Sequence, residues 1–189
     1  MANTQTILVP LAEGFEEIEA ATIVDVLRRA ELHVTLAGLQ PGPVLGAHGV
    51  AFSTDATLDE VDPEKISALV LPGGQPGTDN LLADERILEL CRRLGAEEKP
   101  TAAICAAPMV LAEAGLLEGR PATSYPSFQN RLAGAQVQSE PRVVRSGSVL
   151  TSQGPGTSLE FALTLVAEFK NEETALELGR ALLVADPVR

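Results

Sequence analysis

Apolar residues come along this chain in two rhythms: short unbroken runs, and longer stretches in which they return every three or four positions. Thr6-Ile7-Leu8-Val9-Pro10-Leu11 is the first run, and the turn-forming Ala12-Glu13-Gly14 closes it. From Phe15 to Ala30 the rhythm is helical. It predicts Ile18, Ala21, Thr22, Val24, Val26 and Leu27 largely on one side, with Arg28 and Arg29 near the C-terminal end, where cations suit the helix dipole. Leu32 to Gly38 reads as a second strand. Strand, helix and strand in so short a span form a βαβ unit, which implies a parallel sheet with a right-handed crossover.

Pro41-Gly42-Pro43, with Val44-Leu45 and Val50-Ala51-Phe52 around small residues, predicts an antiparallel excursion, and Leu58 to Val61 is short and acidic. Ile66 to Leu71 is another buried strand, ending at Pro72-Gly73-Gly74. Ligands of open α/β sheets sit at that edge, and glycines there let backbone N–H groups face a reactant. Asp79 to Gly95 is helical, with Cys91 spaced among leucines as a core residue. Pro100 to Ile104 is a short strand that runs straight into Cys105, and Met109 to Ala112 continue as a helix ending near Gly115. Arg120 to Tyr125 resembles a strand and Pro126 to Leu132 a short polar helix, while Arg142-Val143-Val144 pairs with Val149-Leu150-Thr151 in a hairpin. Thr157 or Ser158 is placed to cap a helix running through Val166, and a last helix after Asn171 carries Leu176, Leu178, Leu182 and Leu183 until Pro187 stops it. No repeat, linker or low-complexity tract intervenes. The consistent assembly is one doubly wound α/β domain over residues 1–189.

Composition narrows the partners. With 189 residues and 45% hydrophobic content the chain can bury a real core, yet only 3% is aromatic, with no Trp, which disfavours a base-stacking platform. A net charge of -12 repels nucleic acid and anionic lipid. No apolar stretch approaches the roughly 18 residues of a membrane span, and no basic segment precedes an apolar run at the N-terminus. The expected address is the cytoplasm, with Cys91 and Cys105 as free thiols.

Chemistry concentrates at Cys105, which the pattern puts on a sharp strand-to-helix turn, the geometry of a nucleophile elbow. A helix N-terminus favours thiolate over thiol, and Ala103, Ala106 and Ala107 let backbone approach closely. A cysteine there is also a good small hydrophobe with no chemistry, and this segment alone leaves both readings open. Glu16, Glu17 and Glu19 open the first helix, where carboxylates complement the dipole. Glu19 lies deeper, and a partly buried carboxyl there would keep its proton, hydrogen-bond the Cys105 thiolate, or act as general acid and base. The N–H groups of Gly74 and Ala106 would make a donor pair for an oxyanion. His33 and His48 fall in or near predicted strands and not beside the cysteine. No cluster has metal-ligand spacing, and Gly73-Gly74 lacks the lysine and spacing of nucleotide-binding loops, so neither metal nor cofactor is expected.

Four segments, in order, carry a resemblance that spans nearly the whole chain: Leu8 to Glu19, Leu71 to Gly74, Ala102 to Pro108, and Thr151 to Thr157. They are similar to the ThiJ/PfpI superfamily, and within it to the branch of the Parkinson-disease-associated protein deglycase and the bacterial chaperone YajL. That resemblance implies a flavodoxin-like homodimer in which a low-pKa cysteine, here Cys105, is hydrogen-bonded by a protonated glutamate, here Glu19, and oxidises readily to the sulfinate. It implies a pocket at Gly73, Glu16, Tyr125 and Pro155, and substrates that are small 2-oxoaldehydes or glycated proteins, without cofactor. Glyoxalase without glutathione, protein deglycase and holdase chaperone are the activities it suggests. Tyr125 stands where some members have a histidine, and no histidine follows Cys105, which disfavours a peptidase dyad. The reading from sequence is therefore an aldehyde-processing protein, with a non-enzymatic redox sensor or holdase as the alternative.

Overall fold

The structure, a computed structural model, describes residues 6–184. In chain order the first half holds β1 (Thr6–Leu11), α1 (Glu17–Arg29), β2 (Val34–Gly38), β3 (Val44–Leu45), β4 (Ala51–Phe52), β5 (Ala56–Thr57) and β6 (Ile66–Leu71). Then come α2 (Gly77–Ala83), α3 (Glu85–Ala96), β7 (Thr101–Ile104), α4 (Pro108–Glu113), β8 (Pro121–Ala122) and β9 (Gln136–Val137). The hairpin β10 (Val143–Ser146) and β11 (Val149–Ser152) precedes α5 (Ser158–Phe169) and α6 (Glu172–Ala181).

All six residues of β1 are buried, so both faces of the sheet need cover. Side chains alternate across a strand, and the core divides accordingly. Ile7, Val9 and Leu11 pack with Ile23, Leu27, Phe161 and Val166 from α1 and α5, while Leu8 packs on the opposite face with Leu71, Ile87, Leu94 and Val110. The sheet order is β10-β11-β7-β6-β1-β2-β5, parallel throughout except for the antiparallel β10–β11 hairpin. This is the doubly wound, flavodoxin-like α/β arrangement with helices on both faces. The ends of β1, β6 and β7 lie side by side at one edge, which is where the three candidate segments meet. Among the described residues no helix is long and apolar enough to cross a membrane.

Several sequence expectations shift for identifiable reasons. In α1 the buried stripe is Glu19, Ala20, Ile23, Val26 and Leu27, whereas Ile18 is 58% exposed and Ala21 also faces solvent. Two helical stripes compete in that segment, and the one containing a glutamate is the buried one. The single helix expected over Asp79 to Gly95 is two, because the Asp84 carboxylate accepts the Arg86 N–H and starts α3 afresh. The strand expected over Arg120 to Tyr125 shrinks to Pro121–Ala122, because the Thr123 N–H bonds the Thr151 hydroxyl and the Tyr125 N–H bonds the Cys105 carbonyl. Neither expected hydroxyl caps α5: Thr157 Oγ1 is bonded within the Ser152–Gly154 turn, and Ser158 Oγ is buried without a partner. The last helix ends at Ala181, and Pro187 lies outside the described residues.

Candidate active site

Cys105 follows β7 at φ +63, a left-handed conformation that non-glycine residues rarely adopt. Its neighbours hold it there. The Cys105 N–H donates to the Ser152 carbonyl at 3.0 Å, and its own carbonyl accepts from the Tyr125 N–H at 2.8 Å. The residue is 8% exposed, so the sulfur is neither sealed nor open. Such strain at a strand-to-helix turn is the local signature of a nucleophile elbow.

Gly73 is the contact between thiol and carboxyl. Its N–H donates to Glu19 Oε2 at 2.8 Å, and a Cβ at Gly73 would stand 2.6 Å from Cys105 Cβ. Gly74, at φ +95, passes against Phe15 and Glu16 so closely that a side chain there would overlap their backbone. The N–H groups of Gly74 and Ala106 favour the charged form of the Cys105 sulfur.

Glu19 is fully buried, and burial raises its pKa to about 8; the charge of Glu16 pushes the same way, while the Gly73 N–H and Cys105 pull against it. At neutral pH Glu19 keeps its proton. A group whose folded pKa lies above its unfolded value stabilises the fold at low pH and loses that contribution as pH rises through the folded value. Between pH 4.5 and about 8, wild type should therefore lose stability relative to Glu19→Gln. The expected loss is roughly 4 kcal/mol, measured as denaturant midpoints across that range. Parallel curves for the two proteins would show that Glu19 is ionised in the fold.

The thiol does not obey the helix N-terminus alone. Burial pushes Cys105 up to about 12, an ionised Glu19 contributes to that rise through its charge and its hydrogen bond, and the Gly74 and Ala106 N–H groups only partly offset it. The two groups titrate as a pair, and once one proton has left the pair has two forms. Either Glu19 is a carboxylate facing a thiol, or Glu19 stays protonated and faces a thiolate. In the second form the repelling charge is gone and a donor O–H faces the sulfur, whose two backbone N–H donors remain. Glu19 Oε1 is buried with no hydrogen-bond partner of good geometry, which leaves it free to serve that contact.

The other expected pocket residues flank this pair. Glu16 Oε2 caps α1 by accepting the Glu19 N–H at 2.8 Å. Tyr125 is exposed on the Ser152 side of Cys105, its ring against Phe128 and over Gly154, with Pro155 opening the turn that follows. His33 is exposed at the start of β2, away from these contacts. His48 is the residue the sequence did not bring in: its Nδ1 lies 2.9 Å from Glu17 Oε2, and its N–H donates to Glu17 Oε1 at 2.6 Å. The donor atoms of Glu16, Glu17 and His48 lie within 4.8 Å of one another. Their oxygens are already engaged with the α1 cap and with the backbone of His48 and Val50, so no cofactor is assigned to them. Nothing in the sequence signals this trio, because Glu17 and His48 are 31 residues apart. Cys91 is fully buried, and burial pushes its thiol up to about 12, as suits an inert core residue.

Residues 5–168 match the DJ-1/PfpI family. The chain is 40% identical to the protein DJ-1 homolog B of Arabidopsis thaliana over 96% of its own length, but spans only 42% of that longer relative. It is 36% identical over 77% of its length to the deglycase PfpI of Pyrococcus furiosus, covering 87% of that protein. The crystal structure of Drosophila melanogaster DJ-1beta superposes with a TM-score of 0.92 at 39% identity, covering 96% of this chain and 99% of that one. The sheet edge that gathers Glu19, Gly73 and Cys105 thus sits in a chain that belongs to the DJ-1/PfpI family.

Proposed function

We propose that this protein is a cysteine-dependent protector against reactive aldehydes, acting on small 2-oxoaldehydes and on their early adducts with protein side chains. The observation that carries the proposal is the strained Cys105 beside a buried, proton-holding Glu19, with the Gly74 and Ala106 N–H groups favouring the thiolate. The deglycase name of the Pyrococcus relative supports the same class of chemistry.

The proposed reaction has four steps. In the form where Glu19 holds the proton, the Cys105 thiolate adds to the aldehyde carbon and the carbonyl electrons move to oxygen, giving a hemithioacetal. The Gly74 and Ala106 N–H groups are the donors for that oxyanion, which takes the Glu19 proton. The Glu19 carboxylate then removes the hydrogen on the former aldehyde carbon and returns it to the neighbouring carbon, while the hemithioacetal hydroxyl proton passes to the neighbouring carbonyl oxygen, converting the adduct to a thioester. Water cleaves the thioester, releasing a 2-hydroxy acid and restoring the thiol. No outside oxidant or reductant is needed, because one carbon is oxidised as its neighbour is reduced. The test is conversion of methylglyoxal to lactate followed by proton NMR. Lactate formation that requires both Cys105 and Glu19 supports the proposal, and alanine variants that match wild type contradict it.

A redox role is the second reading, favoured by the same two N–H donors, which would also hold the oxygens of a Cys105 sulfinate. Negligible turnover, together with peroxide adding two oxygens at Cys105 and not at Cys91, would select it. The working unit in either reading is a homodimer. Ile18, Leu45 and Val50 are large apolar side chains left 58%, 46% and 53% exposed on α1 and on the hairpin it clamps, and they support that assembly. Arg28 and Arg29, at the other end of α1, are bonded within the chain to Asp55 and Asp25.

A further inference from the structure

Tyr125 is the only tyrosine of a chain that has no tryptophan, and its position is fixed from three sides. Its N–H donates to the Cys105 carbonyl at 2.8 Å, which ties it to the elbow itself. Its ring stands 6.4 Å from that of Phe128, centroid to centroid, at an angle of 57°. The Cδ2 edge of the ring lies on Gly154, where a Cβ would stand 3.0 Å away. Gly154 has extended backbone that any residue adopts, so the ring, and not the path of the chain, is what favours a glycine there. Held in this way, Tyr125 is still 45% exposed. It lies on the β11 side of β7, with β6 and β1 between it and β2, whose following hairpin is offered for the homodimer. An aromatic surface thus stands open to solvent one hydrogen bond from the Cys105 backbone, and no step of the proposed reaction uses it.

The charges around this surface have one sign. Those that act on Cys105 and Glu19 are carboxylates, Glu19 on the thiol and Glu16 on Glu19. The cations of the neighbouring segments are already engaged, Arg131 beside Asp79 at 3.9 Å and Arg142 with Glu160 at 2.8 Å. Among the described residues an anionic group on a substrate finds no free counter-charge here, whereas a cation finds carboxylates and a ring face. We propose that Tyr125 is a specificity-determining residue whose ring stacks the guanidinium of an arginine side chain, so that among aldehyde adducts the site favours those of arginine. The inference rests on the reading of the site as one that acts on such adducts, and it names which of them. Guanidinium is the cation that suits a ring face, being planar and weakly hydrated, whereas the lysine ammonium is a compact, strongly hydrated point charge. The reach agrees as well. The carbon that an aldehyde adds to arginine is bonded directly to a guanidinium nitrogen, so the group to be held sits one bond from the carbon that Cys105 must attack.

Because the chain has one tyrosine, the ring protons of Tyr125 are read by NMR without ambiguity. Nα-acetylarginine methylamide, titrated into the wild-type protein, should shift them to saturation. Its apparent affinity should be at least about threefold tighter than that of the neutral isostere Nα-acetylcitrulline methylamide, with the lysine analogue between the two. The same arginine probe should slow alkylation of Cys105 by iodoacetamide in wild type and in Tyr125→Phe, which keeps the ring. Tyr125→Leu, which removes it, should lose that protection. Thermal unfolding identifies a variant that fails to fold, and the titration of wild type then decides alone. That titration needs neither a reactive thiol nor turnover, so its failure is distinct from a failed lactate assay: the first overturns the arginine preference, the second the aldehyde chemistry. Ring protons that respond equally to the arginine and citrulline probes, or to neither, would overturn the proposal, as would a Tyr125→Leu protein whose Cys105 is protected to the wild-type degree.

Discussion

Cys105→Ala is expected to abolish conversion of methylglyoxal to lactate, by at least roughly a thousandfold, with little change in folding. The mechanism has one nucleophile, and alanine offers none. Cys91, fully buried among leucines and aliphatic side chains with its thiol pushed up to about 12, cannot stand in for it. The fold should tolerate the change, because alanine leaves the backbone bonds to Ser152 and Tyr125 intact at a residue that contributes only one small side chain to the core. Glu19→Ala should lose on the order of a hundredfold, since it removes the proton shuttle but leaves a thiol beside two N–H donors. A Cys105→Ala protein that still makes lactate at the wild-type rate would place the chemistry elsewhere. One that fails to fold would be separated from this outcome by its melting curve.

Gly74→Ala is expected to disrupt the site and the fold together. Gly74 adopts φ +95, where an L side chain is strained, and its Cβ would stand 2.3 Å from the Glu16 nitrogen and 2.6 Å from the Gly14 carbonyl oxygen. Those obstacles are backbone atoms, so no rotamer change relieves them. The segment that would have to move also carries the Gly73 carbonyl that accepts the Glu16 N–H and the Gly74 carbonyl that accepts the Thr78 N–H. A loss of about 4 kcal/mol or more is expected, within the range left by strain at special backbone positions. Chemical denaturation measures it directly. Gly156→Ala makes the control, because a Cβ there meets nothing within 4 Å. Equal stabilities for the two variants would contradict the tight passage of the Gly73–Gly74 turn against α1.

The parts of the fold legible in the sequence are those whose rhythm has one solution. Ile66 to Leu71 forms β6 residue for residue, because an unbroken aliphatic run bounded by a Pro-Gly-Gly turn suits only a strand buried on both faces. Cys105, Gly73 and Glu19 were legible for a related reason. Each follows a strand of one parallel sheet, and parallel topology brings successive strand ends to one edge. Where two patterns fitted, the sequence could not choose. In α1 the stripe through Ile18 looks as apolar as the stripe through Ala20 and Ile23, and only the hydrogen bond from Gly73 to Glu19 explains why a carboxyl lies on the buried side. The Glu17–His48 clamp lies beyond sequence patterns altogether, since it joins a helix to a distant turn through side chains. The proton balance of the Cys105 pair was likewise only half legible: a helix N-terminus predicts a lowered thiol, but burial and a neighbouring carboxyl dominate it.

The central claim is that the reactive form of this site places the negative charge on sulfur while Glu19 keeps a proton. Ultraviolet absorbance of the thiolate, recorded against pH for wild type and for Cys105→Ala as blank, tests it most directly. The account predicts a Cys105 thiolate signal that develops while Glu19, whose proton burial holds up to about 8, is still protonated. A sulfur that stays silent through that range and ionises only near about 12 would put the charge on Glu19 instead, and would contradict the account.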